Sequence, residues 1–273
     1  MYEDTLATVA DGAATKARLS RDRLGAYLVH SGMAGAYVGL AIALIFALGT
    51  PLAAAGSPFT GVVMAGTFGI ALSLVIVAGS DLFTGNTMVM MVGALRGRTD
   101  WADLARVWSW SWAGNLAGSG LLALLVVAAG TFATDPSLVV DVAASKMTAD
   151  PSTLFARAIL CNWLVVLAVW SAKKVDSEAA KLLMIWWCLL AFIGSGYEHS
   201  VANMTLLTMA NLLPHGSAVS WAGMAYNLAV VTAGNVVSGA LLMGGAYWYV
   251  ADAEARTGVG SDPAPARPSD ADD

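Results

Sequence analysis

The chain has 273 residues, of which 58% are hydrophobic and only 12% charged, with a mean hydropathy of +0.67. A soluble domain carries about a quarter charged residues, so a water-soluble globular fold is excluded. The net charge of −5 says little about partners, because much of the acid sits in the two tails.

The N-terminal segment 1–23, MYEDTLATVADGAATKARLSRDR, is polar and mixed in charge. It lacks the apolar core of a signal peptide and reads as a cytoplasmic segment. Residues 24–250 read as a transmembrane domain: from Leu24 to Ser80 there is no Lys, Arg, Asp or Glu, and such a run exceeds the roughly 20 apolar residues that cross a bilayer. Apolar regions fall at about 25–48, 59–95, 106–132, 155–172, 182–213 and 219–250. Region 59–95 would reach about 55 Å as a helix at 1.5 Å per residue, and Asp81 interrupts it. Region 182–213 is interrupted by Glu198-His199. Both read as broken helices. Residues 251–273, rich in Pro, Asp and small residues, read as a disordered cytoplasmic tail.

The basic residues sort with this six-span reading. Twelve of the fourteen Lys and Arg fall on one face, and only Lys146 and Arg157 fall on the other. The positive-inside rule then places both termini in the cytoplasm. Trp and Tyr near the span ends (Trp101, Trp108, Trp170, Tyr247, Trp248, Tyr249) read as interfacial anchors. The spacings GMAGAYVG and Gly114-xxx-Gly118 allow close helix contact, within one subunit or between subunits.

The sequence also repeats. AGNLAGSG (Ala113–Gly120) returns as AGNVVSGA (Ala233–Ala240), so that Asn115 matches Asn235. Asp81 and Glu198 are each followed five residues later by Asn, Asn86 and Asn203. Three spans per copy force the second copy upside down. The expected fold is therefore an all-α membrane protein of six transmembrane helices, arranged as two inverted three-helix repeats with broken second and fifth helices.

Chemistry concentrates at the breaks, GSDLFTGNTM and GSGYEHSVANM. Thr84 and Ser200 read as N-caps of the second half-helices, whose positive dipole ends favour anions near the midplane. Asp81 and Glu198 read as structural, accepting bonds from backbone N–H groups freed by the breaks. His199 is the one histidine at a break; an intramembrane ionisable group is functional by default, and histidine exchanges protons near neutral pH. The alternative is a neutral ring hydrogen-bonded within the break. His30 and His215 sit near span ends and read as ordinary. Cys161 and Cys188 read as small buried hydrophobes. No zinc-like cluster is evident, so no metal and no cofactor are expected.

These residues resemble the formate/nitrite transporter family. DLFTGN (Asp81–Asn86), CNWLVVLAVW (Cys161–Trp170) and GYEHSVANM (Gly196–Met204) are similar to its signatures in the second, fourth and fifth helices, with Asp81 where the family usually has Glu. Tyr197 and the preceding IWWCLLAFI lie nearest the nitrite-channel branch. The resemblance implies an aquaporin-like fold, a homopentamer with one pore per protomer, and the bacterial inner membrane. It also implies roles by position: His199 as the central pore histidine, Thr84 as its hydrogen-bonding neighbour, Asn162 as a polar pore residue and Lys146 as the vestibule lysine. Phe68, Leu72, Leu82, Val165 and Phe192 match apolar constriction positions, without a side being fixed for each.

The expected partners are a small monovalent anion (nitrite, with formate as the alternative), protons, the lipid bilayer and copies of the chain, with no nucleic acid. Lys146 and the half-helix dipoles would attract the anion, and protonation by His199 or by nearby water would let it pass as the neutral weak acid. Formate, lactate or hydrosulfide on the same scaffold is the main alternative. A neutral-solute channel lacks its paired NPA motifs here, and an intramembrane serine hydrolase built on Ser195 and His199 lacks a nucleophile motif. The chain is not expected to be an enzyme.

Overall fold

The charge-free run folds as α2 (Leu24–Ala54) followed by the 20-residue stretch Thr60–Gly79. That stretch comprises α3 (Thr60–Thr67), α4 (Ile70–Leu74) and a π-helical turn, Val75–Gly79. An extended link leads to α5 (Phe83–Leu95), and α6 (Trp101–Ala128), α7 (Ser137–Thr148) and α8 (Pro151–Lys174) follow. A second broken element pairs α9 (Glu178–Gly194) with α10 (Ser200–Leu212). Finally α11 (Trp221–Val236) continues through a π-helical segment, Val237–Gly245, into α12 (Ala246–Thr257). The structure is a computed structural model that describes residues 2–257, and the regular structure among the described residues is helical throughout. The last helix runs past residue 250, and residues 258–273 of the expected tail lie outside the described residues.

Among the described residues five stretches are long and apolar enough to cross a bilayer: Leu24–Ala54, Thr60–Gly79, Trp101–Ala128, Pro151–Lys174 and Trp221–Glu254. Their polar starts fix where each begins. Asp100 and Asp103 form a reciprocal capping box on α6, and Asp150 caps α8 with Pro151 in its first turn. Ser177 and Ser220 cap α9 and α11.

The two short half-helices α5 and α10 form the centre. Ten of the thirteen residues of α5 and eleven of the thirteen of α10 are buried. The long helices surround them and turn Leu121, Leu124, Leu125 and Trp187 outward, as suits a lipid or subunit boundary. The glycine spacings serve packing within the chain. A Cβ on Gly118 would lie 1.8 Å from the Gly32 carbonyl oxygen, and one on Gly35 would lie 2.1 Å from that of Asn115. No residue but glycine lets α2 and α6 approach that closely.

The N-terminal segment is helical, α1 (Glu3–Asp22). Leu6, Val9, Ala10, Ala13 and Ala17 recur at helical spacing and are buried. They pack with Met88, Val89 and Val92 of α5. Salt bridges hold the outer face, from Arg21 to Asp103 (3.1 Å), from Arg98 to Asp11 (3.2 Å) and from Arg96 to Glu3. Thus α1 is clamped to the bundle and can deliver a side chain to its interior.

Candidate functional site: a passage through the two helix breaks

Each break needs a glycine in the left-handed region. Gly79 (φ 78°) ends the first half-helix and Gly196 (φ 68°) ends the second. At Gly196 the amide bonds to Ile193 O (3.0 Å) and the Tyr197 amide bonds to Phe192 O (3.0 Å), the double closure of a Schellman motif. Beyond the glycines the chain is extended, as at Ser80 (φ −163°, ψ 171°) and His199 (φ −111°, ψ 114°).

Extended backbone at such depth exposes polar groups that must be satisfied by protein. Two asparagines do this in the same way. Asn115 Oδ1 accepts from Phe83 N (2.9 Å), while its Nδ2 donates to Ser31 O (2.8 Å) and Asp81 O (2.9 Å). Asn235 Oδ1 accepts from Ser200 N (3.0 Å), and its Nδ2 donates to Ala158 O (2.8 Å) and Glu198 O (3.1 Å). The amides of Asp81 and Glu198 bond to His30 O and Arg157 O respectively (both 3.3 Å).

The two carboxylates do not take backbone N–H groups as expected, because the asparagines and the neighbouring helices have already taken them. Each is instead paired with a lysine and an asparagine. Asp81 Oδ1 accepts from Lys16 Nζ (2.7 Å) and Asn86 Nδ2 (2.5 Å). Glu198 accepts from Lys146 Nζ (2.7 Å) and Asn203 Nδ2 (2.7 Å). The acids are 1% and 2% exposed on their side chains, so the pairing offsets a desolvation that would otherwise forbid the charge.

Three cavities run through the centre. One of ≈380 Å³ is lined by Lys16, His30, Leu72, Leu82 and Lys173, among others. One of ≈190 Å³ is lined by Lys146, Phe192, Tyr197 and His199. Between them lies a cavity of ≈10 Å³, lined by Phe68, Leu72, Leu82, Val165, Phe192 and His199 together with Val38, Ala71 and Leu189. Leu72 and Leu82 are shared with the first cavity, and Phe192 and His199 with the second. All five residues at expected constriction positions therefore meet in one dry segment. The space is at or below the roughly 10–15 Å³ that a single water needs. Phe68 and Phe192 cross edge-to-face with centroids 5.4 Å apart, and Phe192 stacks on the His199 ring at 5.8 Å.

His199 itself is the N-cap of α10. Its Nδ1 accepts from Ala202 N (3.0 Å). The cap expected at Ser200 is displaced by one residue, because the imidazole nitrogen reaches the N3 amide, and Ser200 Oγ has no partner among the described residues. Thr84 is no cap either: α5 starts at Leu82 without a side-chain cap, and Thr84 Oγ1 meets His199 Nε2 at 3.0 Å. A backbone amide only donates, so Nδ1 carries a lone pair and Nε2 carries the proton of a neutral ring. Asn162 is fully buried behind Thr84, donating to Thr87 Oγ1 (3.0 Å) and Asn235 O (2.6 Å). Gly239 of the π-helical segment lies against the same pair, where a Cβ would be 1.8 Å from Thr87 Oγ1.

Asn115, Asn235 and Lys16 are the functional positions that sequence reasoning did not assign. The asparagines served only as markers of the repeat, and Lys16 only as one of the basic residues counted for orientation. The similar strings around Asn115 and Asn235 were the available signal for the asparagines, and none pointed to Lys16.

A family model described as formate/nitrite transporter matches residues 3–249. The nitrite transporter NirC of Salmonella typhimurium is 47% identical over 269 residues, which is 98% of this chain and 96% of that protein. A solved structure described as an FNT family ion channel is 48% identical with a TM-score of 0.87, covering 91% of this chain and 99% of that one. A pentameric formate channel with formate bound is 26% identical with a TM-score of 0.72, covering 82% of this chain and 96% of that one.

Proposed function

The chain belongs to the formate/nitrite transporter family, and from that premise we propose that it is a membrane channel for nitrite, which crosses the central dry segment as the neutral weak acid. The observation that carries this reading is the ≈10 Å³ apolar cavity between two larger cavities that each carry a lysine. Moving an ion into such a place costs at least several kcal/mol. A protonated nitrite carries no net charge and avoids most of that penalty. The nitrite transporter match over nearly the whole chain supports nitrite as the anion.

In this mechanism Lys146 and Lys16 face the two larger cavities, and the dipole ends of α5 and α10 meet at the constriction, so the anion is drawn to its edge. There it takes a proton from water, passes Phe192 and the Leu72–Leu82 pair, and releases the proton on the far side. His199 donates a hydrogen bond and not the proton. An imidazolium would lose the Ala202 bond and set a positive charge at a helix N-terminus. Thr84 holds Nε2–H in place. Asn162 positions Thr84 from behind, and Phe68, Val165 and Phe192 keep water out. Asp81, Asn86, Glu198 and Asn203 hold the breaks.

The same reading includes six spans in two inverted three-helix repeats, an arrangement supported by the matched bonding of Asn115 with Asn235, of Lys16–Asp81 with Lys146–Glu198, and of Asn86 with Asn203. It includes a homopentamer in the bacterial cytoplasmic membrane with both termini cytoplasmic. The likeness to a pentameric channel and the one-sided distribution of Lys and Arg support those two points.

The test is nitrite flux into proteoliposomes at several pH values, with formate as competitor. Flux that rises as pH falls, and is inhibited by formate only at excess, supports a nitrite channel; preferential formate flux would make formate the substrate. Under this mechanism His199→Asn slows flux without changing the shape of its pH profile. A profile flattened by that change would make the ring the proton donor.

A further inference from the structure

The two larger cavities differ in charge. On one side the lining cation is Lys146, already paired with Glu198 at 2.7 Å. On the other side Lys16 is paired with Asp81 at 2.7 Å, but Lys173 lines the same cavity. Its ammonium group reaches toward α1, within 3.9 Å of where a Cβ on Gly12 would stand. Among the described residues Lys173 has no salt bridge and no hydrogen bond. The cavity also takes in His30, whose Nδ1 is buried without a hydrogen-bond partner among the described residues. A buried orphan donor or acceptor beside an uncompensated charge calls for a ligand.

We propose that the ≈380 Å³ cavity on the Lys16 side is a capture site for a small monovalent oxyanion or carboxylate, held by Lys173 and the His30 ring before it enters the constriction. The proposal deepens the channel reading and rests on it. The two lysine–carboxylate pairs cancel, which leaves Lys173 as the net charge of the passage and places it on one side only. A charge so placed lowers the concentration at which anions load from that side. The other titratable or charged groups near His30 are Lys16 on α1, Asp81 in the break, Lys173 on α8 and Tyr27 one turn earlier. The Tyr27 hydroxyl is committed to Asn86 and Val107. The lining residues from α4, the π-helical turn and α5 are uncharged.

The test is the concentration dependence of nitrite flux in right-side-out and inside-out vesicles. Lys173→Gln should raise KM about 5-fold for entry from the Lys16 side, the effect of one unit charge at ~4 Å in a water-like medium. It should leave Vmax and entry from the other side within about 2-fold, and Lys173→Arg should restore KM. His30→Ala should also raise KM from the Lys16 side, because it removes the ring that lines the cavity. An unchanged KM in Lys173→Gln, or a rise equal from both sides, would overturn the site; an unchanged KM in His30→Ala would remove His30 from it. Line broadening of ¹³C-formate by detergent-solubilised protein reads capture without flux. Broadening lost in Lys173→Gln supports the site even if nitrite flux is absent and the channel reading fails, and broadening that persists overturns it.

Discussion

Replacing Asn115 by Ala tests how the breaks are held. The change removes one acceptor and two donor bonds, orphaning Phe83 N and Asp81 O and taking a second donor from Ser31 O, a carbonyl inside α2. Phe83 and Asp81 are 3% exposed or less, so water cannot stand in. A buried backbone group left unpaired costs about 1–3 kcal/mol. Two of them amount to about 2–6 kcal/mol, a large share of the ~5–15 kcal/mol stability of a typical fold. Thermal unfolding of the detergent-solubilised protein should therefore show a Tm lower by roughly 4 °C or more, or loss of the folded peak. Asn235→Ala removes the matched set of bonds and should cost a similar amount. Asn211→Ala removes a single bond within its own helix and serves as the control. If Asn115→Ala melts within about 2 °C of the native chain, the asparagine brackets do not hold the breaks. If the two variants differ several-fold, the equivalence of the two halves fails.

Three further changes probe other levels. Phe192→Ala should join the ≈10 Å³ and ≈190 Å³ cavities and raise water permeability in stopped-flow light scattering, at a stability cost of about 3–5 kcal/mol; unchanged water permeability would mean the ring is not the barrier. Gly239→Ala drives a methyl to 1.8 Å from Thr87 Oγ1 and 2.8 Å from Asn162 Nδ2 and should sharply reduce the yield of folded protein, whereas Gly61→Ala, with nothing within 4 Å, should be neutral. Asp150 caps α8 outside the membrane, and its hydroxyl and amide bonds from Ser152 hold its carboxyl below the usual carboxylate range. A depressed folded value stabilises above the unfolded one and is lost as pH falls, so Asp150→Ala should lower Tm slightly at pH 7 and less near pH 3; a deficit that grows with acid would contradict the cap.

Much of this was legible in the sequence because the signals are local. A charge-free run of Leu, Val, Ala and Gly can only be a span, and Asp81 or Glu198-His199 within such a run marks a break. The matched roles of Asn115 and Asn235 were foreshadowed because both sit in similar strings. The bonding around the breaks was not legible, because its partners come from far along the chain: Lys16 is 65 residues from Asp81, and Lys146 is 52 from Glu198. That distance is why backbone amides were expected at the carboxylates, and why α1, with short apolar residues on a narrow face, read only as a polar segment of mixed charge. The caps were misplaced for a different reason. Serine and threonine are among the preferred N-caps and histidine is not, and only the fold shows that an imidazole stands one residue earlier with its Nδ1 aimed at the Ala202 amide.

The charge arrangement fits what the proposed weak-acid passage would require. An anion must be attracted to the constriction, but a net positive group inside it would bind the ion and stop it. The breaks answer both demands with dipoles in place of ions. α5 begins beside Leu82 and α10 beside His199, and both residues line the dry cavity. Their N-terminal ends supply the equivalent of about half a positive charge each, directed at a segment too small for water. Every full charge at the breaks is neutralised by a partner within 2.7 Å. The neutral His199 tautomer fits the same logic, because its Nδ1 lone pair closes the helix end and its Nε2–H points to Thr84. A second proton on that ring would add a full charge where two dipole ends already converge. In the proposed mechanism the proton that neutralises the anion is then best taken from water in the wider cavities, so that flux would follow the pH of the solution and not the protonation of a side chain.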